Sequence, residues 1–210
     1  MNTIEPTVYV LVLDLAATLA GALTGGIIAT QKRVDVVGVA VLCFVGGVGG
    51  GVLRDLLLGA LPPVALRDYR YVLVALVAAC AVVFTPKAVV RAKPLVQGLD
   101  AVGVGLFTAV GCLKAEQANS ALITIVFVGI IAATGGGLLR DLFTAQIPAV
   151  LRTEILASAA LAGSLAFVLG IQVFSAGTSG LIAGAIAAGI RGLALWRDWS
   201  APVPRQVNPA

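Results

Sequence analysis

Gly46-Gly47-Val48-Gly49-Gly50-Gly51-Val52-Leu53-Arg54-Asp55-Leu56 returns later in the chain as Ala132-Ala133-Thr134-Gly135-Gly136-Gly137-Leu138-Leu139-Arg140-Asp141-Leu142. Each copy lies about midway along an apolar run of the ~20 residues that a helix needs to cross a bilayer. Glycine inside a helix costs roughly 1 kcal/mol per residue relative to alanine. An arginine at bilayer depth costs about 2.5–3.5 kcal/mol on insertion scales. A chain that makes both choices twice concentrates its function there.

Composition sets the class. Of 210 residues, 60% are hydrophobic and 11% charged, against about 45–50% and about 25% in soluble domains; the mean hydropathy is +1.06. The apolar stretches are helix-length rather than the ~10-residue alternating segments of a membrane barrel, so an all-α membrane protein is expected. No large polar segment is left for a catalytic domain, and no nucleophile–base pair is visible, so an enzyme is not expected. The formal charge of +4 comes from connecting arginines and lysines, which orient membrane proteins and do not imply nucleic acid. Histidine is absent, which removes the commonest proton shuttle and metal ligand. Cys43, Cys80 and Cys112 lie far apart in apolar sequence and read as buried free thiols, so neither metal nor other cofactor is expected. Ala20-Gly21-Ala22 has the small residues of a signal-peptidase site, but no basic region precedes it, which argues against cleavage.

In order, seven spans are predicted: Thr7 to Thr30, Val34 to Gly59, Tyr69 to Phe84, Leu95 to Leu113, Ala118 to Thr144, Thr153 to Ile171 and Gly177 to Leu195. Pro62-Pro63 and Pro148 stop the second and fifth. An offset of 86 positions carries Gly49 onto Gly135, Arg54 onto Arg140, Asp55 onto Asp141, Asp14 onto Asp100, Gly25 onto Gly111, Gln31 onto Gln117 and Pro62 onto Pro148, without a gap. Residues 7–85 and 95–172 are thus two three-helix repeats, followed by a seventh helix over 177–196 and a proline-bearing tail over 197–210 expected to be disordered. Three is odd, so the second copy enters the membrane from the opposite side, the inverted plan of many transport proteins.

Lysines and arginines in the connections set the orientation. Lys32, Arg33, Lys87, Arg91, Lys93, Arg152, Arg191, Arg197 and Arg205 fall on the face of the C-terminus, against Arg67, Arg70 and Lys114 on the other. Nine against three predicts an inner-membrane protein with its N-terminus outside and its C-terminus in the cytoplasm.

The candidate pathway residues are Gly49, Gly50, Gly51, Arg54 and Asp55, their counterparts Gly135, Gly136, Gly137, Arg140 and Asp141, and the paired carboxylates Asp14 and Asp100. Gly46/Gly50 and Gly47/Gly51 have the four-residue spacing that lets membrane helices pack closely. Three glycines in a row exceed that need, so a local break in each helix is expected. Broken helices near the midplane free carbonyls and helix ends for an ion or substrate. Asp55 and Asp141 are turned about 100° from the preceding arginines and are expected to neutralise them poorly, leaving Asp14 and Asp100 as candidate partners. Two arginines against four carboxylates give a nominal −2 if all are ionised, which favours cations.

With GGGVLRD answered by GGGLLRD, seven spans and a three-plus-three inverted repeat, the chain resembles the prokaryotic trimeric intracellular cation (TRIC) channels over about residues 7 to 195. The resemblance implies a homotrimer among membrane lipids, each protomer holding its own pore for potassium, sodium and other monovalent cations. The second and fifth spans, kinked at the glycines, would line it. Bacterial chains of this pattern also resemble glycine transporters, and the motif does not separate the two. A carrier for a small zwitterion is the alternative, since arginine can grip a carboxylate bidentately. Lys114-Ala115-Glu116 is not the Lys-Glu-Val motif of the animal TRIC channels, so their lipid regulation is not carried over.

Overall fold

The computed structural model describes residues 8–85, 93–151 and 155–199. Among the described residues the eight α-helices are α1 (Val8–Gln31), α2 (Val36–Leu57), α3 (Val64–Arg67), α4 (Tyr69–Phe84), α5 (Lys93–Gln117), α6 (Leu122–Phe143), α7 (Ala157–Gly170) and α8 (Ala176–Trp196), with a 3₁₀ turn at Ala149–Leu151. Five of these, α1, α2, α5, α6 and α8, are long and apolar enough to cross a membrane. α4 and α7 are apolar but shorter, 16 and 14 residues, or about 24 and 21 Å at 1.5 Å per residue. The predicted third span coincides with α4; the predicted sixth is wider than α7, and residues 153–154 of it lie outside the described residues, as does the tail from 200 onward.

Side chains local in sequence open several helices. Asp35 caps α2 by accepting from the Gly38 amide at 2.7 Å, Asp68 caps α4 through the Arg70 amide at 3.0 Å, and Ser175 caps α8 through Thr178. Each satisfies an amide that the helix start leaves without a backbone partner. Arg70 also holds the Asp68 carboxyl below the ordinary carboxylate range, by a hydrogen bond in an exposed connection.

At the centre, α2 packs on α1 and α6, and α5 packs on α6, α8 and α1. The interior is built from small side chains: Ala17, Ala22, Ala29, Ala78, Ala159, Ala160, Ala183 and Ala187 are buried. Larger apolar residues such as Val12, Leu73, Phe127, Leu165 and Leu181 point outward. This inversion of the soluble pattern suits lipid, where close backbone approach replaces the hydrophobic effect as the packing force. Cys43 and Cys112 are buried as expected, but Cys80 is exposed on the outer side of α4.

The expected helix break is absent: α2 and α6 run through both glycine triplets without interruption. The glycines serve contact instead. A Cβ on Gly49 would meet Leu139 Cδ1 at 2.9 Å and Gly136 Cα at 3.3 Å, and one on Gly135 would meet Leu53 Cδ1 at 2.7 Å and Gly50 Cα at 3.3 Å. These contacts are reciprocal under the 86-residue offset, as a local two-fold between α2 and α6 requires. A Cβ on Gly50 would overlap the Ala132 carbonyl oxygen, and one on Gly136 would lie 2.6 Å from that of Gly46. Gly51 and Gly137 face neither helix; their Cβ positions lie 3.4 and 3.5 Å from Nη2 of Arg54 and Arg140. The first two glycines of each triplet are thus needed for the close approach of the helices, while the third lies at ordinary contact distance from the arginine that follows it.

Candidate functional site

The first cluster forms where α1, α2, α4 and α5 meet. Asp14, six residues into α1, accepts from Arg54 through both carboxylate oxygens, at 3.0 and 3.1 Å. Its Oδ2 also accepts from Lys114 Nζ at 2.9 Å and from the Tyr71 hydroxyl at 2.9 Å. Arg54 Nε donates to Asp55 Oδ1 at 2.8 Å, and Asp55 Oδ2 accepts from the Val64 amide at 2.9 Å. Lys114 Nζ also lies 3.9 Å from Asp55. All five side chains are buried, Arg54 and Asp14 to 1% exposure. Two carboxylates face two cations, so the cluster is neutral and its charges are matched by hydrogen bonds, the condition under which burial of ions is tolerated.

The second cluster reuses the parts with one difference. Arg140 Nε donates to Asp141 Oδ1 at 2.9 Å, and Asp141 Oδ2 accepts from the Ala149 amide at 2.9 Å, repeating the Arg54–Asp55–Val64 arrangement. Asp100 does not pair with Arg140. Its Oδ2 accepts from Arg191 of α8, Nε at 3.0 Å and Nη2 at 2.9 Å. These four residues border a cavity of about 210 Å³ that reaches past Gln97 and Thr24 to Gly46, Gly136 and Gly137.

Several expectations are corrected here. Asp55 and Asp141 do bond their own arginines, because the long guanidinium can fold back across the 100° between neighbouring positions. Asp14 is a partner of Arg54 as anticipated, whereas Asp100 belongs to Arg191. Lys114 and Arg191 are buried members of the clusters and not loop charges, which leaves eight basic connecting residues against two. Adding them also cancels the nominal −2: four carboxylates now face four cations. Among the predicted pathway residues, Asp100, Gly136, Gly137, Arg140 and Asp141 border the cavity; Gly49, Gly50 and Gly135 lie in the α2–α6 contact, and Gly51 lies beside Arg54. Tyr71, Lys114 and Arg191 were missed. The offset gave one signal, since Lys114 falls on Ile28 and breaks the match.

A multi-pass helical membrane protein with two buried, repeat-related charge clusters, one of them opening on a cavity that carries charged side chains on a largely apolar wall, has the architecture of a membrane transport protein. A family model described as glycine transporter matches residues 11–87 and again 97–172. A UPF0126 membrane protein of Deinococcus radiodurans is 36% identical over 171 residues, covering 78% of this chain and 80% of that one. A UPF0126 inner membrane protein of Escherichia coli K12 is 35% identical over 164 residues, covering 78% and 79%. The chain belongs to this family. Among solved structures, one concerned with conductance through TRIC cation channels superposes with a TM-score of 0.87 at 30% identity, covering 95% of this chain and 98% of the other. The TRIC trimeric intracellular cation channel orthologue from Rhodobacter sphaeroides gives 0.83 at 33% identity, covering 91% and 100%. The resemblance read from the glycine–arginine motifs is thereby shown.

Proposed function

We infer that the protein is a cation channel permeable to potassium and other monovalent cations, working as a homotrimer with one pathway per protomer. The observation that carries this is the cavity bordered by Asp100, Arg140, Asp141 and Arg191 and ending at the close contact of α2 and α6, in a fold shared with cation channels over nearly the whole chain. Seven spans are proposed, with α4 and α7 crossing as short helices beside the five long ones. The eight-to-two distribution of connecting lysines and arginines supports a cytoplasmic C-terminus. In that orientation the Asp100–Arg140–Asp141–Arg191 cavity faces the cytoplasm and the Asp14–Arg54–Asp55–Lys114–Tyr71 cluster faces outside.

The pathway runs from the cavity, past Gly136 and Gly137, along the glycine contact to the outer cluster. That cluster closes it here, since its ions and hydroxyl are all engaged with one another. With the charges balanced, selectivity for cations falls to the acceptors a dehydrated ion meets, carboxylate oxygens of Asp100 and Asp141. The carrier reading has its own support: the cavity presents arginine and aspartate together, as a zwitterion requires, and the family model is described as glycine transporter. Proteoliposomes separate the two. A channel gives stepwise potassium current without saturating exchange; a carrier gives saturable counterflow of labelled glycine without current steps.

A further inference from the structure

Both halves of the chain own a carboxylate from the first helix of the repeat and an Arg-Asp pair from the second. In one half they close on each other: Arg54 grips Asp14 at 3.0 and 3.1 Å. In the other the equivalent grip of Arg140 on Asp100 is not made, although both border one cavity. The arginine-to-aspartate bond at 2.9 Å and the backbone amide on Asp141 are kept, while Tyr71 and Lys114, which hold Asp14 in the first cluster, correspond to Ala157 and Ile28 in the second. In their place Arg191 holds Asp100, at 2.9 and 3.0 Å. It comes from α8, the one long helix without a counterpart in the offset. Where the first cluster places Lys114, the second has Ile28 bordering the cavity, so Arg191 is also the cation that balances the second carboxylate.

We propose that Arg191 is a latch on the helix outside the repeat: by holding Asp100 it denies Arg140 the closing partner that Arg54 has in Asp14, and so keeps the cavity open. When Arg191 lets go, Arg140 pairs with Asp100 and this side shuts in the manner of the other. Arg191 is thus a positioning residue, acting on access through Asp100 without itself closing anything. The inference deepens the proposed function, in which this cavity is one arm of the pathway.

Water access to the cavity tests it without reference to current. Ile28→Cys, in a Cys80→Ala chain, puts a thiol on the cavity wall, and a thiol reacts as thiolate only where water reaches it. The full-length protein in proteoliposomes is treated with the small neutral reagent methyl methanethiosulfonate, and the modification rate is read by mass. Adding Arg191→Gln should slow the rate about tenfold, in proportion to the lost open fraction. Arg191→Lys, which keeps the charge but loses the planar fork, should fall between, at about threefold. Adding Arg140→Gln to either should restore the rate to within about twofold, because no closing pair remains. A purely structural role for Arg191 predicts the reverse, since the second loss adds damage. Unchanged rates in monodisperse Arg191→Lys protein, or a rate that stays low after Arg140→Gln, would overturn the latch; should Arg191→Gln fail to fold, the lysine variant carries the test. Absence of potassium current in the parent protein would remove the channel reading and leave this one standing.

Discussion

Arg54 and Arg140 share the sequence Gly-Gly-Gly-x-Leu-Arg-Asp and differ in what surrounds them. Arg54 satisfies two buried carboxylates, Asp14 and Asp55; Arg140 satisfies Asp141 at the edge of a cavity. Arg54→Ala therefore leaves two buried carboxylates to share Lys114, and breaking such a network costs about 3–5 kcal/mol. Thermal unfolding in detergent should show this as a large fall in melting temperature and in yield. Arg140→Ala should retain its fold and pass more cation current, because a positive charge has left the pathway. Equal destabilisation by both substitutions would contradict the asymmetry. Tyr71→Phe removes one hydrogen bond to Asp14, about 1.5–3 kcal/mol for a charged acceptor, and should raise the open probability of the outer side with the fold intact. The arginines stood out in the sequence because their apolar surroundings made them expensive. The groups that hold Asp14 and Asp100 beside them did not, because Tyr71, Lys114 and Arg191 lie near predicted span ends or in connections, where a polar residue carries little cost and so gives no signal.

At the scale of the element, the glycine triplets let two continuous helices cross with backbones in contact. Gly136→Ala puts a methyl 2.6 Å from the Gly46 carbonyl oxygen, a distance that only movement of α6 away from α2 can relieve. Gly189 and Gly192 on α8 have nothing within 4 Å of a Cβ position, so Gly189→Ala should be neutral or stabilise by about 0.5–1 kcal/mol. Melting temperatures of the two variants should move apart; similar values would show that the crossing is not held by close approach. The repeat was plain in the sequence, since an ungapped offset aligns aspartate, glycine, arginine and proline alike. A break was expected because propensity scales price glycine as a helix breaker in water. Within a lipid-embedded bundle the backbone bonds have no water to compete with them, and the small side chain is worth more as contact than it costs as flexibility.

At the scale of the molecule, two similar halves are held in unlike states. One is shut by a neutral, fully bonded cluster; the other opens on a cavity beside a helix that the repeat does not contain. Composition made the membrane class clear and the offset made the repeat clear, while the unlike states were hidden, because identical motifs cannot announce that they are differently partnered. Cross-linking in native membranes should yield species up to three protomers and no larger; a ladder ending at two would contradict the trimer. The central claim is conduction, and recording from the purified protein in a planar bilayer tests it most directly. Under a potassium gradient the account predicts discrete current steps that reverse at the potassium equilibrium potential, larger or more frequent in Arg140→Ala. A folded protein that passes no potassium current while catalysing saturable glycine counterflow would contradict it.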